Sequence, residues 1–191
     1  MKKDKVIQFF DMCAESWDNN IIRNEDVIKS ILENAHIENN IQVLDVACGT
    51  GVLFPDYLSR GACITAIDIS SEMVKRAKSK YPGVDVICGD VEEYVFDRKY
   101  DVVMVYNSIP HFTDPYRLVA CLANILVVGG RISIAHGMSR ECILNRHAGS
   151  ASEVSVPLLE WEELARILDP FFEIETCISN EHMYQVVGVK R

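Results

Sequence analysis

Apolar residues recur at two different spacings along the chain. Before residue 41 they follow helical spacing, over residues 4–17 and residues 25–36. From residue 41 onwards, short apolar runs alternate with amphipathic stretches, which predicts strands that alternate with helices. The predicted strands cover residues 41–46, 63–67, 84–88, 101–105 and 131–135. Apolar strands that alternate with helices are typical of a parallel sheet covered by helices on both faces.

The last part of the chain has a different pattern. Residues 160–168 predict a short helix, and two successive strands follow at 171–179 and 183–189. The short connection between these strands predicts a hairpin, which adds an antiparallel edge to the sheet. We therefore predict an α/β fold with a Rossmann-like, doubly wound sheet of seven strands. Two N-terminal helices precede it, and the small, polar stretch at 149–155 is predicted to be a loop.

Length and charge narrow the class of protein. A chain of 191 residues favours one domain with its own core. The formal net charge of −9 argues against a non-specific nucleic-acid or anionic-membrane surface, because both need a basic face. We find no signal peptide and no apolar run near the ~20 residues that a membrane span needs. We expect a cytoplasmic protein that acts on a small molecule, as a monomer or homodimer.

The seven cysteines are scattered along the chain without a CxxC pair. Several of them lie inside apolar, strand-like runs. An odd number without regular spacing indicates reduced, buried thiols rather than disulfides or a zinc site.

A glycine-containing loop follows the first predicted strand, with the sequence Asp45-Val46-Ala47-Cys48-Gly49-Thr50-Gly51. Glycines let the backbone approach a ligand closely, and N–H groups at a helix N-terminus can bind a carboxylate or phosphate. Asp68 ends the next strand, and Asp90 follows the third. A carboxylate at the first of these positions can accept hydrogen bonds from both hydroxyls of a ribose. Carboxyl ends of parallel strands are where such sheets bind ligands.

Two residues distinguish this loop from a dinucleotide site. The dinucleotide fingerprint needs a third small residue for helix packing, and Phe54 occupies that position. The acidic Asp45 is poorly suited to a pyrophosphate, whereas it suits a ligand that carries an ammonium and a sulfonium. A nicotinamide-dependent dehydrogenase is therefore disfavoured.

Together these segments resemble the class I S-adenosylmethionine-dependent methyltransferases, in their motif order and spacing over about residues 41–135. The similarity is to the menaquinone/ubiquinone-biosynthesis-like branch, of methyltransferase domain 11 or 25 type, and includes Phe9-Phe10-Asp11 with Trp17-Asp18. The matching motifs are Val43 to Gly51, Ala66 to Met73, Gly89-Asp90-Val91, Tyr100 to Asn107 and Val128 to Ile132.

The resemblance implies S-adenosylmethionine as the cofactor. It places the loop beside the methionine part, Asp68 on the ribose, Asp90 on the adenine amino group and Asn107 near the reactive methyl. It also divides the domain into a helical cap (1–40), a cofactor-binding core (41–135) and an acceptor-side segment with the hairpin (136–191). The residues expected to contact the cofactor are Trp17, Asp45, Ala47, Cys48, Gly49, Gly51, Asp68, Ile69, Met73, Asp90, Val91 and Asn107.

Polar residues after the fourth and fifth strands are candidates for the acceptor side. The candidate catalytic residues are Tyr106, His111 and His136, and a neutral imidazole can accept a proton near pH 7. Capping of the local loop is the alternative role for His111. A pocket with His136, Arg140 and His147 could recognise an anionic or phenolic acceptor. For Arg140 and Arg146 the alternative is a place on a solvated helix face. The spacing of the histidines and Cys142 matches no compact zinc pattern, so no metal is expected.

Several functions fit these residues. The first is an enzyme that methylates a small-molecule oxygen, nitrogen, sulfur or carbon atom. A sharper version is a C-methyltransferase acting on a quinone ring. A non-catalytic S-adenosylmethionine-binding module is the alternative from another class, because the fold alone does not reveal the acceptor.

Overall fold

Seven strands form one sheet in the computed structural model, which describes residues 3–147, 149 and 151–191. The strands are β1 (Gln42–Val46), β2 (Cys63–Asp68), β3 (Asp85–Cys88), β4 (Tyr100–Tyr106), β5 (Leu126–His136), β6 (Phe172–Ser179) and β7 (Tyr184–Lys190). Their order is β3-β2-β1-β4-β5-β7-β6. The first five are parallel, and β7 is antiparallel to both β5 and β6. The predicted doubly wound sheet with its C-terminal hairpin is confirmed.

Helices cover both faces of this sheet. They are α1 (Lys3–Cys13), α2 (Glu25–Asn34), α3 (Phe54–Ser59), α4 (Ser71–Lys80), α5 (Pro115–Ile125), α6 (Arg140–His147) and α7 (Trp161–Leu168). Along β4, Val103 and Val105 pack with α5 and α7, whereas Val102 and Met104 pack with α2, α3 and α4. The apolar run of β4 is continuous because both of its faces are buried.

Polar side chains cap the first turns of several helices. Asn24 accepts a hydrogen bond from Val27 N–H at 3.3 Å, and Asp114 accepts one from Arg117 N–H at 3.0 Å. Ser139 accepts one from the N–H of Cys142 at 3.2 Å. These bonds satisfy backbone donors that have no partner inside their own helix.

Two element boundaries differ from the prediction. The first α-helix ends at Cys13, and a 3₁₀ helix continues over Ala14–Asn20. The fifth strand was predicted to begin at residue 131. It begins at Leu126 and includes the Gly129-Gly130 pair. Leu126 pairs with Tyr100 before the register shifts, so the glycines lie in an irregular part of the strand. A pattern of residue types does not show such a bulge, because it is defined by pairing with the neighbouring strand.

The cysteines are all free, as predicted, but most are not buried. Cys48 is buried, whereas Cys63, Cys88 and Cys142 are exposed. The first two lie at ends of strands near the sheet edge, where the apolar run continues but the covering helices do not. Across the described residues, no helix is both long and apolar enough to cross a bilayer.

Candidate functional site

A cavity of about 350 Å³ lies at the carboxyl ends of the parallel strands. Lys3, Val6 and Phe10 of α1 form one of its walls. Most of the residues predicted from the sequence line it: Trp17, Ala47, Cys48, Gly49, Asp68, Ile69, Met73, Asp90, Val91, Tyr106, Asn107 and His111. The prediction that these side chains converge at one edge of the sheet therefore agrees with the geometry.

The glycine loop is held by hydrogen bonds within the protein. Gly49 N–H donates to Asp68 Oδ2 at 2.8 Å, and Gly51 N–H donates to the Cys48 carbonyl at 3.0 Å. Helix α3 begins only at Phe54, beyond the loop. The expectation that these N–H groups bind a ligand carboxylate or phosphate is therefore not met by the two glycines. The arrangement also lacks the phosphate cradle that a dinucleotide needs.

Asp68 connects the loop to the cavity. Its second oxygen accepts a hydrogen bond from Ser70 N–H at 2.8 Å, and the side chain lines the cavity. Burial raises the pKa of this carboxyl to about 6, against the opposing effect of the hydrogen bonds from Ser70 and Gly49. Each carboxylate oxygen has a second lone pair, so Asp68 can still accept bonds from a ligand's hydroxyls.

Asp45 and Gly51 do not line the cavity, although both were predicted to contact the cofactor. Asp45 is only 2% exposed and lies at the base of the loop. Gly51 has a φ of +84° and packs against the ring of Phe54, so it shapes the loop from behind. Burial, followed by the nearby charge of Asp68, raises the pKa of Asp45 to about 8.

This buried carboxyl predicts a pH-dependent stability. The folded protein keeps a proton on Asp45 up to about pH 8, whereas the unfolded chain loses it near its ordinary pKa of 3.8. Between these values the folded state binds more protons, so the free energy of unfolding must fall as pH rises. We expect Asp45→Asn to flatten this slope by about 1 kcal/mol per pH unit.

Urea unfolding of the ligand-free protein at pH 5, 6.5 and 8 measures that slope. Asp85→Asn is the matched control, because Asp85 is exposed at the start of β3. An unaltered slope in Asp45→Asn, or an equal change in the control, would contradict the assignment.

The 3₁₀ helix and α1 close over the loop through polar contacts. Asp11 accepts hydrogen bonds from Ser70 Oγ at 2.6 Å and Glu72 N–H at 3.1 Å, at the start of α4. Asp18 accepts a hydrogen bond from Thr50 and pairs with Lys80 at 2.8 Å. α1 and the 3₁₀ helix thus lie over the core, whereas α2 packs into it. The role of residues 1–40 as a cap stays a prediction, and Met1 and Lys2 lie outside the described residues.

At the opposite edge of the cavity, α1 reaches the residues after β3. Lys3 forms ion pairs with Asp90 and, at 2.8 Å, with Glu92. Asp90 also accepts a hydrogen bond from Glu92 N–H at 3.0 Å. The sequence interpretation missed Lys3 and Glu92, because only the docking of α1 brings them to the site.

The end of the cavity that follows β4 is formed around His111. Its Nδ1 lies 2.7 Å from the Val154 carbonyl oxygen, and its ring packs edge-on against Phe10 and His147, with centroids 4.9 and 5.2 Å away. Burial lowers the pKa of His111 to about 4, so the imidazole is neutral at pH 7. Val154 lies in the stretch predicted as a loop, of which Ser150 lies outside the described residues. Ser152–Val154 forms a 3₁₀ helix instead.

His136 does not occupy the catalytic position predicted for it. It is fully buried, packs near the ring of Tyr184 and is absent from the described residues that line the cavity. Burial, with smaller effects of His147 and His111, lowers its pKa to about 3. The strand pairing of His136 with Tyr184 in β7 explains this, because the hairpin covers the end of β5.

The remaining candidates separate into cavity and scaffold residues. Tyr106 lines the cavity, and burial raises its pKa to about 12, so it is a neutral phenol. Arg140 donates to the Leu158 carbonyl at 3.0 Å and pairs with Glu160 at 2.9 Å, which fixes the following segment instead of the acceptor. Arg146 and His147 do line the cavity.

Two positions in the site have left-handed backbone. Ala47 and Asn107 both have a φ of 54°. Asn107 donates its N–H to the Ala135 carbonyl at 2.8 Å and accepts from Gly137 N–H at 3.0 Å, which ties β4 to β5. Non-glycine residues in this region are uncommon and occur at functional sites.

Metal binding has no geometric support in the described part of the chain. No group of three histidine, cysteine or acidic side chains there is arranged to hold an ion.

Comparison with known proteins adds to this geometry. Residues 44–134 match the family model described as a methyltransferase domain. The malonyl-[acyl-carrier protein] O-methyltransferase 1 of Ilyobacter polytropus is 31% identical over 143 residues, covering 70% of this chain and 52% of that protein. A demethylmenaquinone methyltransferase of Renibacterium salmoninarum is 26% identical over 140 residues, covering 70% and 59%. The chain thus spans about half the length of the curated relatives it matches.

Solved structures show the same fold. The N-methyltransferase NodS of Bradyrhizobium japonicum, in complex with S-adenosyl-l-homocysteine, has a TM-score of 0.75 and 13% identity, covering 96% of this chain and 97% of that one. Magnesium protoporphyrin IX methyltransferase of Synechocystis, also with S-adenosyl-l-homocysteine, has a TM-score of 0.73 and 17% identity, covering 99% of each chain.

Proposed function

We propose that this chain, whose residues 44–134 belong to the methyltransferase domain family, transfers a methyl group from S-adenosylmethionine to a small-molecule acceptor. The observation that carries the proposal is one continuous cavity with two chemically different ends. Asp68 and Asp90 line the end at β2 and β3, and His111 and His147 line the other. The two ends offer a donor and an acceptor separate sets of contacts.

The residues at the first end fit the adenosine part of this cofactor. Asp68 accepts the ribose hydroxyls, and the apolar side chains of Ile69 and Met73 flank the adenine. Asp90 accepts a hydrogen bond from the adenine amino group. The same carboxylate also pairs with Lys3. The Val91 N–H is available to a ring nitrogen in the same proposal. NodS, with the same fold, was solved with S-adenosyl-l-homocysteine bound, which supports this cofactor.

The middle of the cavity fits the methionine part. Ala47, Cys48 and Gly49 line it with the left-handed backbone of the loop, and Trp17 covers it from the 3₁₀ helix. A Cβ built on Gly49 would lie 3.8 Å from Trp17 Nε1, so the loop and its cover are in ordinary contact distance. S-adenosylmethionine supplies an electrophilic methyl group on a sulfonium sulfur.

The protein's contribution to catalysis is mainly positioning and exclusion of water. Phe10, Phe112 and Met138 give the acceptor end an apolar wall, and Tyr106 with Asn107 lies between the two ends. An enclosed site of this kind fits a small molecule. The net charge of −9 and the seven free cysteines support a cytoplasmic enzyme without a nucleic-acid substrate.

Isothermal titration calorimetry with S-adenosylmethionine and S-adenosylhomocysteine tests the proposal. We expect both to bind with micromolar dissociation constants, and NAD to give no heat and no rise in melting temperature. Absence of binding by both adenosyl ligands would overturn the proposal. Binding without turnover of any acceptor would favour the non-catalytic binding module.

The quinone-ring C-methyltransferase remains a second candidate, because a demethylmenaquinone methyltransferase is among the relatives. Mass spectrometry of reactions with a demethylated quinol distinguishes methylation of the ring carbon from methylation of a hydroxyl oxygen. Only the C-methylated product resists ether cleavage.

A further inference from the structure

Two buried polar atoms in the cavity wall have no hydrogen-bond partner among the described residues. They are Ser108 Oγ and His147 Nδ1, and both residues line the acceptor end. A buried polar group without a partner costs free energy, so native proteins leave few of them. Both atoms are closed to solvent, and Tyr57, His136 and Tyr184 carry similar atoms away from the cavity. A rotation of the Ser108 or His147 side chain would bring its polar atom to the cavity, where a polar group of the acceptor could pair with it.

His111 lies beside these atoms in a defined tautomer. The Val154 carbonyl oxygen, 2.7 Å from Nδ1, can only accept a hydrogen bond, so Nδ1 carries the hydrogen. In a neutral imidazole, Nε2 then holds a lone pair and can only accept. Phe10 and His147 pack edge-on against the ring and hold its orientation. His111 Nε2 is thus an acceptor of protons whose orientation the protein fixes through Val154, Phe10 and His147.

The charges around the cavity disfavour a cationic acceptor. The acidic side chains among the described lining residues are Asp68, Asp90 and Glu92, which follow β2 and β3. The acceptor end instead has Arg146 and two histidines. An ammonium group brought into a largely apolar pocket needs a carboxylate partner, which this end does not offer.

We propose that the acceptor is a neutral molecule with a hydroxyl group, an alcohol or a phenol, and that His111 Nε2 takes its proton. This inference rests on the proposed function and names the substrate class of the same site. The hydroxyl oxygen forms a bond to the methyl carbon, and the bond between that carbon and sulfur breaks with its electron pair left on sulfur. The hydroxyl proton moves to Nε2, and the imidazolium then releases it to water. Val154 is a positioning residue that sets the tautomer.

A positioned base favours oxygen over nitrogen or sulfur. A neutral amine attacks through its free lone pair, and a thiol ionises near neutral pH on its own, so neither needs a base in order to attack. A hydroxyl group keeps its proton at neutral pH and loses it as the carbon–oxygen bond forms, so a neutral imidazole held beside it assists the reaction. Burial, followed by the nearby His147, lowers the pKa of His111 to about 4, which keeps the ring neutral. Glu153, next to Val154, is paired with Lys5 at 3.0 Å. Its charge is therefore compensated and does not alter the protonation of His111.

A matched panel of acceptors tests the inference. Phenol, 4-methoxyphenol, cyclohexanol, aniline and thiophenol are each incubated with S-adenosylmethionine, and products are measured by mass spectrometry. We expect methyl ethers from the hydroxyl compounds at a rate that depends on His111, and any product from aniline or thiophenol at a rate that does not. Absence of any ether would overturn the inference, and so would preferred methylation of aniline nitrogen or of a ring carbon. Cofactor binding is measured separately by calorimetry. Absence of binding would contradict the proposed function, whereas binding without ether formation would contradict this inference alone.

The variant His111→Asn removes Nε2 while its amide can still donate to the Val154 carbonyl. We expect kcat for phenol to fall about 10²–10⁴-fold, with the cofactor dissociation constant unchanged. 4-Nitrophenol, which is largely ionised at pH 8, should lose far less activity at that pH, and the remaining rate with phenol should rise with pH. His182→Asn, on the exposed hairpin turn, is the control. Equal losses with both phenols would indicate a merely structural role.

A readout without turnover comes from nitrogen-15 NMR of labelled histidines. We expect the His111 ring at pH 7 to carry its hydrogen on Nδ1, and Nε2 to shift when phenol and S-adenosylhomocysteine bind together. His147 and His136 are the neighbouring titratable groups and need separate assignment, with Arg146 lining the cavity next to His147. The opposite tautomer of His111 would contradict the inference.

Discussion

Asp68→Asn is expected to bind S-adenosylmethionine about 100-fold more weakly than the unaltered protein. The carboxylate accepts N–H bonds from Gly49 and Ser70 and, in the proposed complex, bonds from the ribose. An amide offers one oxygen and one NH₂ group, so one of the two backbone donors would face another donor. Loss of charge-assisted bonds costs about 1.5–3 kcal/mol each, and every 1.4 kcal/mol is tenfold in affinity.

Calorimetry at pH 7.5 measures this change, because Asp68 is then largely ionised above its pKa of about 6. The same argument predicts that the unaltered protein binds the cofactor more weakly as pH falls through 6, since the ribose hydroxyls prefer the ionised carboxylate. Asp85→Asn removes a charge from the exposed start of β3 and should leave affinity unchanged. Near-normal affinity in folded Asp68→Asn would remove this residue from the binding site.

Gly51→Ala is expected to lower the free energy of unfolding by about 2–4 kcal/mol. The φ of +84° is a conformation that costs an alanine about 1–2 kcal/mol. A Cβ at this position would also lie 2.6 Å from Cδ2 of the buried Phe54 ring. Overpacking of this kind typically costs about 1–3 kcal/mol.

Gly83→Ala provides the matched control, because a Cβ there meets no atom within 4 Å. Urea unfolding of both variants should show a large loss for Gly51→Ala and a change within about 0.5 kcal/mol for Gly83→Ala. Equal stabilities would mean that the loop backbone differs from the one described.

The alternating pattern was sufficient to predict the sheet, since its central parallel strands β1 and β4 are buried on both faces. The hairpin was also predictable, because three polar residues separate two strand-like runs. The predicted cofactor residues at the ends of β1, β2 and β3 converge because parallel strands bring their carboxyl ends to one edge. In these cases, local sequence determines the placement.

Other features depend on contacts between distant parts of the chain. Lys3 reaches Asp90 over 87 positions, and no local pattern predicts how α1 docks. His136 was predicted to face the cleft, but β7 covers it by pairing beside β5. Val154 acts through its carbonyl, which any residue carries, so residue type gave no indication of its role.

α1 and the 3₁₀ helix that follows it are held to the rest of the protein differently from α2, which buries four apolar side chains. Val6 is the one buried residue of α1, whereas Lys3, Asp11 and Asp18 hold the segment by partly exposed polar contacts. Exposed ion pairs contribute about 0–1 kcal/mol each and weaken in salt, so this segment can detach at a fraction of the cost of unfolding. Entry of ligands therefore depends on the electrostatic contacts of this segment, whereas the stability of the fold depends on the apolar core.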